Sequence, residues 1–223
     1  MKRHDSSPNC GTVVGFWVKN LASLDAGLRE TPGELIELRA RPESIVEIAR
    51  CTGQTPTNLT QRFDSGACCV SLYVDGVWAS SGWVSSGSVW IGELTTWFTP
   101  LPDEAYVWDC LTRQQYRGRG LYPRLLRLIC QHLARSGHHR VWIATEWKNW
   151  RSANGVARAG FSPVGAVVVI RTGAVRRRRL LPNHDAGDDV IAALRHSLES
   201  PKRGPLDFPR GLSVGIKWQP GAR

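Results

Sequence analysis

Gln115-Tyr116-Arg117-Gly118-Arg119-Gly120 combines the two requirements of an anion cradle, backbone freedom and fixed positive charge. Gly118 and Gly120 permit positive φ, so that neighbouring N–H groups can converge on phosphate oxygens, while Arg117 and Arg119 add charge. The loop follows an apolar, strand-like run, Ala105 to Thr112, and precedes an amphipathic run, Leu121 to Ser136. In that second run Tyr122, Leu125, Leu126, Ile129 and Leu133 recur at three and four residues. Arg124, Arg127, Gln131 and Arg135 take the other face, and Gly137 stops the pattern. A helix there aims the positive end of its dipole at the loop.

The elements around the loop narrow its chemistry. Pro123 falls in the first helical turn, where a missing N–H costs nothing, and it occupies the place of the third glycine of a dinucleotide-binding G-x-G-x-x-G. No G-x-x-x-x-G-K-[ST] occurs in the chain. The strand, (R/Q)-x-x-G-x-(G/A) loop and helix together resemble the acyl-CoA-binding segment of the GNAT superfamily of N-acyltransferases. A second strand-like run, Val141 to Thr145, then Asn149, Ser152 and Gly160-Phe161 extend the resemblance, because the superfamily shows that succession after its phosphate loop. Upstream, Ala67 to Val74 and Val77 to Trp83 flank the hairpin signal Asp75-Gly76 and resemble the family's second and third strands. The likeness is clearest from Ala67 to Gly165.

The resemblance implies an α/β (α+β) fold: a central mixed, mostly antiparallel twisted sheet flanked by helices, with two strands splayed at the acyl-CoA site. It also implies transfer of an acyl group, acetyl first among them, from acetyl-CoA or another acyl-CoA to an amine by direct attack. Backbone N–H groups from Arg117 through Gly118, Arg119 and Gly120 to Leu121 would hold the pyrophosphate. The amides of Cys110, Leu111 and Thr112, on the strand that splays, match those that polarise the thioester carbonyl, with the pantetheine arm running toward Arg113. Asn149 matches the asparagine that fixes the pantetheine end and is equally suited to cap a helix; Ser152 matches the small residue one turn later.

Three carboxylates are candidates for the base that deprotonates the amine: Asp109 on the splayed strand, Glu146 at the end of the next, and Glu93 in the region between Trp83 and Ala105. A carboxylate in apolar surroundings titrates higher, which suits it to accept a proton near neutrality. Cys110 is better read as a small buried hydrophobe than as a nucleophile. Many family members carry a tyrosine seven residues after the asparagine to protonate the leaving thiolate; here that position is Val156, leaving water, Ser152, Tyr116 or Tyr122 as substitutes.

The rest of the chain sets the frame. Its 223 residues suffice for one sizeable core, expected as a single acyltransferase domain over residues 1–181 followed by a C-terminal helix and a Pro/Gly/Arg-rich tail over 182–223. Val13 to Val18 reads as an opening strand, Pro42 to Ala49 as a short helix, Trp83 to Ala105 as an irregular lobe with an apolar run from Val89 to Phe98, and Asp188 to Leu198 as a helix. Six cysteines lack metal-binding spacing, and no metal is expected. No signal peptide or membrane-spanning run is evident, which points to the cytoplasm. The net charge of +10 suits a polyanionic ligand such as coenzyme A. Arg176 to Arg179 reads first as a solvated edge strand and second as a docking patch for an acidic carrier protein. Ten tryptophans and this run motivate an alternative, a longer-chain N-acyltransferase using acyl-CoA or acyl carrier protein. A non-catalytic acyl-CoA-binding or nucleic-acid-binding module on the same scaffold is the non-enzyme alternative. Nucleic acid is disfavoured because the basic residues are dispersed and no recognised binding motif is present. An edge strand after Ile170 would allow pairing with a second copy.

Overall fold

The computed structural model describes residues 9–22, 36–39, 45–172 and 175–199. In chain order the elements are β1 (Asn9–Asn20), β2 (Ile36–Arg39), α1 (Ile45–Thr52), α2 (Pro56–Asp64), β3 (Cys68–Val74), β4 (Val77–Ser85), β5 (Val89–Ile91), β6 (Thr96–Phe98) and β7 (Glu104–Thr112). A 3-10 turn, Gln114–Tyr116, leads into α3 (Leu121–Arg135). β8 (Arg140–Glu146), α4 (Trp150–Arg158), β9 (Ser162–Thr172), β10 (Val175–Pro182) and α5 (Asp188–Glu199) follow.

Eight strands join in one sheet in the order β10-β9-β1-β8-β7-β4-β3-β2. All adjacent pairs are antiparallel except β7 and β8, which run parallel because α3 carries the chain back across the sheet between them. The expected mixed, mostly antiparallel sheet flanked by helices is therefore observed. Asp75 and Gly76 both take positive φ, 51° and 74°, as the tight turn between β3 and β4 requires.

Helix α3 buries Leu121, Leu125, Leu126, Ile129, Cys130 and Leu133 against Val70, Leu72, Val107, Val141 and Ile143 of the sheet. Each such aliphatic side chain contributes ~1.5–3 kcal/mol through burial. Helix α4 lies beside α3 on the same face, with Val156 fully buried between them and the sheet. The opposite face carries α1 and α2 at one end and α5 with the β5–β6 hairpin at the other. Cys68 and Cys69 accordingly fall on opposite faces, and the five cysteines whose side chains are described are free thiols.

Three sequence expectations change here. The region between Trp83 and Ala105 is not irregular throughout, since β5 and β6 pair from Val89–Phe98 to Ile91–Thr96 and cover the sheet with Phe98 against Phe16. The opening strand is longer than Val13 to Val18 and lies inside the sheet, between β8 and β9. Helix α2 has no counterpart in the sequence reading. The arginine run lies on β10, which ends the sheet order, with Arg177, Arg178 and Arg179 exposed. Pro42 and the tail beyond Glu199 lie outside the described residues.

Candidate active site

The parallel ladder between β7 and β8 runs from Glu104–Arg140 to Val107–Ile143 and stops there. Beyond it β7 continues beside β4 to Thr112, while β8 continues beside β1 to Glu146. The two strands thus part company in the middle of the sheet. The mouth of the gap lies between the phosphate-type loop at the end of β7 and the turn at the end of β8.

A bulge accompanies the parting. Ser81 faces Leu111 and Trp83 faces Trp108, so β7 spends three steps where β4 spends two. Asp109 supplies the extra residue and takes φ +45°, a left-handed conformation that aspartate tolerates better than most residues. After the bulge the direction of the amides can be assigned. Arg113 N–H donates to Ala79 O at 2.9 Å, toward β4. Because N–H directions alternate along a strand, the Leu111 amide also faces β4, whereas the Cys110 and Thr112 amides face the gap left by β8. Of the three amides singled out in the sequence, two therefore open into the gap.

The loop beyond β7 has the expected backbone. Gly118 and Gly120 take φ +79° and +72°, and a Cβ at either would meet nothing within 4 Å. Glycine is required there for conformation, not for space. Gly120 is the residue before α3, so the amides of Leu121 and Tyr122 lie in the first turn, ahead of the first intrahelical bond that Arg124 N–H makes to Gly120 O. Arg117 Nε donates back to Thr112 O (3.1 Å), Arg113 donates to Trp78 O (3.4 Å), and the Arg119 guanidinium stands over the Tyr116 ring.

On the far side of the gap, Asn149 caps α4 by accepting the Ser152 N–H at 3.1 Å, so its capping role is realised. The Ser152 hydroxyl lies 3.2 Å from Tyr122 OH, which ties α4 to the first turn of α3. Burial pushes the Tyr122 phenol well above its usual range, with the nearby Cys110 adding to the effect and Ser152 opposing it. Burial likewise pushes the Cys110 thiol up, and its Sγ fills the space over Gly82, where a Cβ would lie only 2.9 Å away. Burial that disfavours the thiolate makes this thiol a poor nucleophile.

The three candidate carboxylates come from separate elements to one region. Glu93 sits half-buried in the β5–β6 turn, and burial raises its titration above the ordinary carboxylate range. Its own backbone N–H opposes that rise, and the charges of Glu146 and Asp109 add to it. Glu146 is exposed at the end of β8. Asp109 Oδ2 accepts from both Arg62 Nη1 and Gln54 Nε2, the latter at 2.8 Å, so this carboxylate is the most committed of the three. Arg62 and Gln54 were missed in the sequence. The available signal was Thr55-Pro56, an N-cap followed by a helix-starting proline, with Leu59 and Phe63 four apart. Trp147 and Trp150, 71% and 63% exposed, flank the turn after β8.

A model of the acetyltransferase (GNAT) family matches residues 43–161, which span α1 through Phe161 and include the bulge, the loop and Asn149. The chain belongs to the GNAT acetyltransferase family. No curated protein matches this GNAT chain. Among solved structures, a GCN5-related N-acetyltransferase from Sphaerobacter thermophilus is similar at 12% identity and TM-score 0.54, covering 79% of this chain and 54% of that one. A GNAT-family acetyltransferase from Colwellia psychrerythraea is similar at 17% identity and TM-score 0.48, covering 79% and 57%. Aminoglycoside acetyltransferase AAC(6')-Ib, solved with coenzyme A and kanamycin, is similar at 14% identity and TM-score 0.48, covering 62% and 95%. The GNAT chain thus spans little more than half the length of the first two. Among its described residues no cluster of His, Cys, Asp or Glu could hold a metal ion, and no helix is long and apolar enough to cross a membrane.

Proposed function

We propose that this GNAT protein transfers an acetyl group from acetyl-CoA to a primary amine of a small-molecule, amino-sugar or peptide acceptor, by direct attack and without a covalent enzyme intermediate. The observation that carries the reading is the gap between β7 and β8 beyond Val107–Ile143, with unpaired amides along one wall and the Gly118–Gly120 loop at its mouth. The residues fit the cosubstrate. The loop amides and first-turn amides of α3 would take the pyrophosphate, and the amides of Cys110 and Thr112 would take the pantetheine and thioester oxygens. A preorganised donor of this kind contributes ~3 kcal/mol to an oxyanionic transition state.

Glu93 acts as the base in this reading. Its elevated titration suits proton acceptance near neutrality, and Glu146 beside it attracts the incoming ammonium. Asp109 is held by Arg62 and Gln54 and serves geometry. Val156 is core, so the thiolate leaves without the usual tyrosine, and the paired hydroxyls of Tyr122 and Ser152 are the candidates to protonate it. The exposed Trp147 and Trp150 favour a second reading, a longer acyl chain lying across their faces.

Calorimetric titration with acetyl-CoA, CoA and a long-chain acyl-CoA, followed by thiol release with a panel of primary amines, tests both readings. Micromolar acetyl-CoA binding with amine-dependent thiol release is expected. Preference for the long chain would select the second reading, and no binding of any CoA species would remove both.

A further inference from the structure

We propose that Arg62 is a positioning residue of the acyl-transfer site, holding the Asp109 carboxylate so that the bulge in β7 keeps the Cys110 and Thr112 amides facing the gap. The inference rests on the acetyltransferase reading for its consequence in turnover, but its structural half stands on geometry alone.

Arg62 projects from α2, on the face of the sheet opposite α3, and it reaches the centre of the sheet. Its side chain is 8% exposed, and its guanidinium carbon lies 4.8 Å from the Trp83 ring centroid and 4.6 Å from that of Trp108. Those two indoles face each other across the strand pair at the edge of the bulge, since Trp83 is the register partner of Trp108. Arg62 therefore contacts both strands at the point where their register slips. Its Nη1 then ion-pairs with the residue that makes the slip, and Gln54 Nε2 donates to the same oxygen.

The bulge needs such a hold. A left-handed residue within a strand is disfavoured for any residue with a Cβ, so surrounding contacts must fix it. Without the extra residue, the amide alternation after Trp108 would reverse, turning Cys110 and Thr112 toward β4 and Leu111 toward the gap. A guanidinium suits this task because its planar fork packs on indole faces while its edge donates to a carboxylate; an ammonium does only the second.

The charges also reach Glu93. The groups around it are Glu146 on β8 and Asp109 and Tyr106 on β7, with Arg62 behind Asp109. Asp109 pushes the Glu93 titration upward.

Arg62→Lys, Arg62→Met and Asp109→Asn test the proposal with three readouts: amide NMR signals of Cys110 and Thr112, calorimetric affinity for acetyl-CoA, and the pH profile of thiol release from acetyl-CoA with propylamine. Arg62→Lys is expected to shift both amide signals and lower kcat at least tenfold, with acetyl-CoA affinity changed less than threefold. Arg62→Met, which keeps neither the ion pair nor the planar fork, should shift both amide signals as well, and the acid limb of the profile should move to lower pH in Asp109→Asn. Unchanged Cys110 and Thr112 amide signals in folded Arg62→Lys or in folded Asp109→Asn would overturn the proposal, and these two carry the test if Arg62→Met does not fold. Failure of the unsubstituted protein to bind acetyl-CoA would instead overturn the proposed function, and the amide signals would still decide whether Arg62 holds the bulge.

Discussion

Gly155 of α4 lies against the ring of Tyr122 of α3, so closely that a Cβ added at Gly155 would stand 2.3 Å from Tyr122 Cδ1. This approach lets the Tyr122 hydroxyl reach Ser152 one turn earlier on α4. Gly155→Ala should force the ring aside and cost about 1–3 kcal/mol, as overpacking does. The expected readout is a lower thermal midpoint, by roughly 2–4 °C for each kcal/mol in a chain of this size. A midpoint equal to that of the parent would show that α3 and α4 can slide apart freely.

Gly120→Glu should abolish coenzyme A binding. The position has φ +72°, which costs a side-chain-bearing residue ~1–2 kcal/mol, and the carboxylate adds negative charge where phosphate would sit. A loss of at least ~2.7 kcal/mol in calorimetry, roughly 100-fold in Kd, is expected. Retained micromolar affinity would place the phosphates elsewhere.

Glu93→Gln should lower turnover by ~10²–10⁴ while leaving acetyl-CoA affinity nearly intact, the pattern of a lost general base. The same substitution should stabilise the fold at neutral pH. Burial raises the folded-state titration of Glu93 above its unfolded value, so its contribution is fully present below the unfolded value and is lost as pH rises through the folded one. Urea denaturation of both proteins at pH 4 and pH 8 checks the sign: the stability advantage of the Gln variant should grow with pH.

Glu104→Ala should be the most destabilising of these substitutions. Glu104 is fully buried, and it accepts Arg140 Nη1 at 2.9 Å and Trp142 Nε1 at 2.7 Å at the start of the parallel ladder. Its removal leaves a largely buried guanidinium and an indole N–H without that partner, at a cost of about 3–5 kcal/mol by equilibrium denaturation. Glu104→Gln keeps one acceptor oxygen but turns an amide NH2 toward the other donor, so it should recover only a portion of that loss.

The parts of the candidate site built from consecutive residues are legible in the sequence as local conformation. Gly118 and Gly120, the stripe on α3, and Asn149 with Ser152 each carry their signal within a few positions, because turn conformation and helical period are local properties. The bulge at Asp109 was not legible. It depends on the register between β4 and β7, and nothing within Glu104–Thr112 announces an extra residue. The Arg62–Asp109 pair was invisible for the same reason, with its members 47 positions apart and a helix without a clear apolar stripe carrying one of them. The hairpin of β5 and β6 was hidden by its brevity, three residues per strand, too short for an alternating pattern to declare itself.

Strand β1 holds Asn9–Asn20 between β8 and β9, pairing with Arg140–Glu146 on one side and with Ser162–Arg171 on the other. During synthesis this strand must therefore wait for more than a hundred further residues before either neighbour exists, an interval on the order of ten seconds at ordinary ribosomal speed. Until then one of the most apolar stretches of the chain has both edges open. Assembly of this half of the sheet is a late, non-local event, and a nascent chain paused before β8 would be the species most exposed to chaperones and to intermolecular pairing.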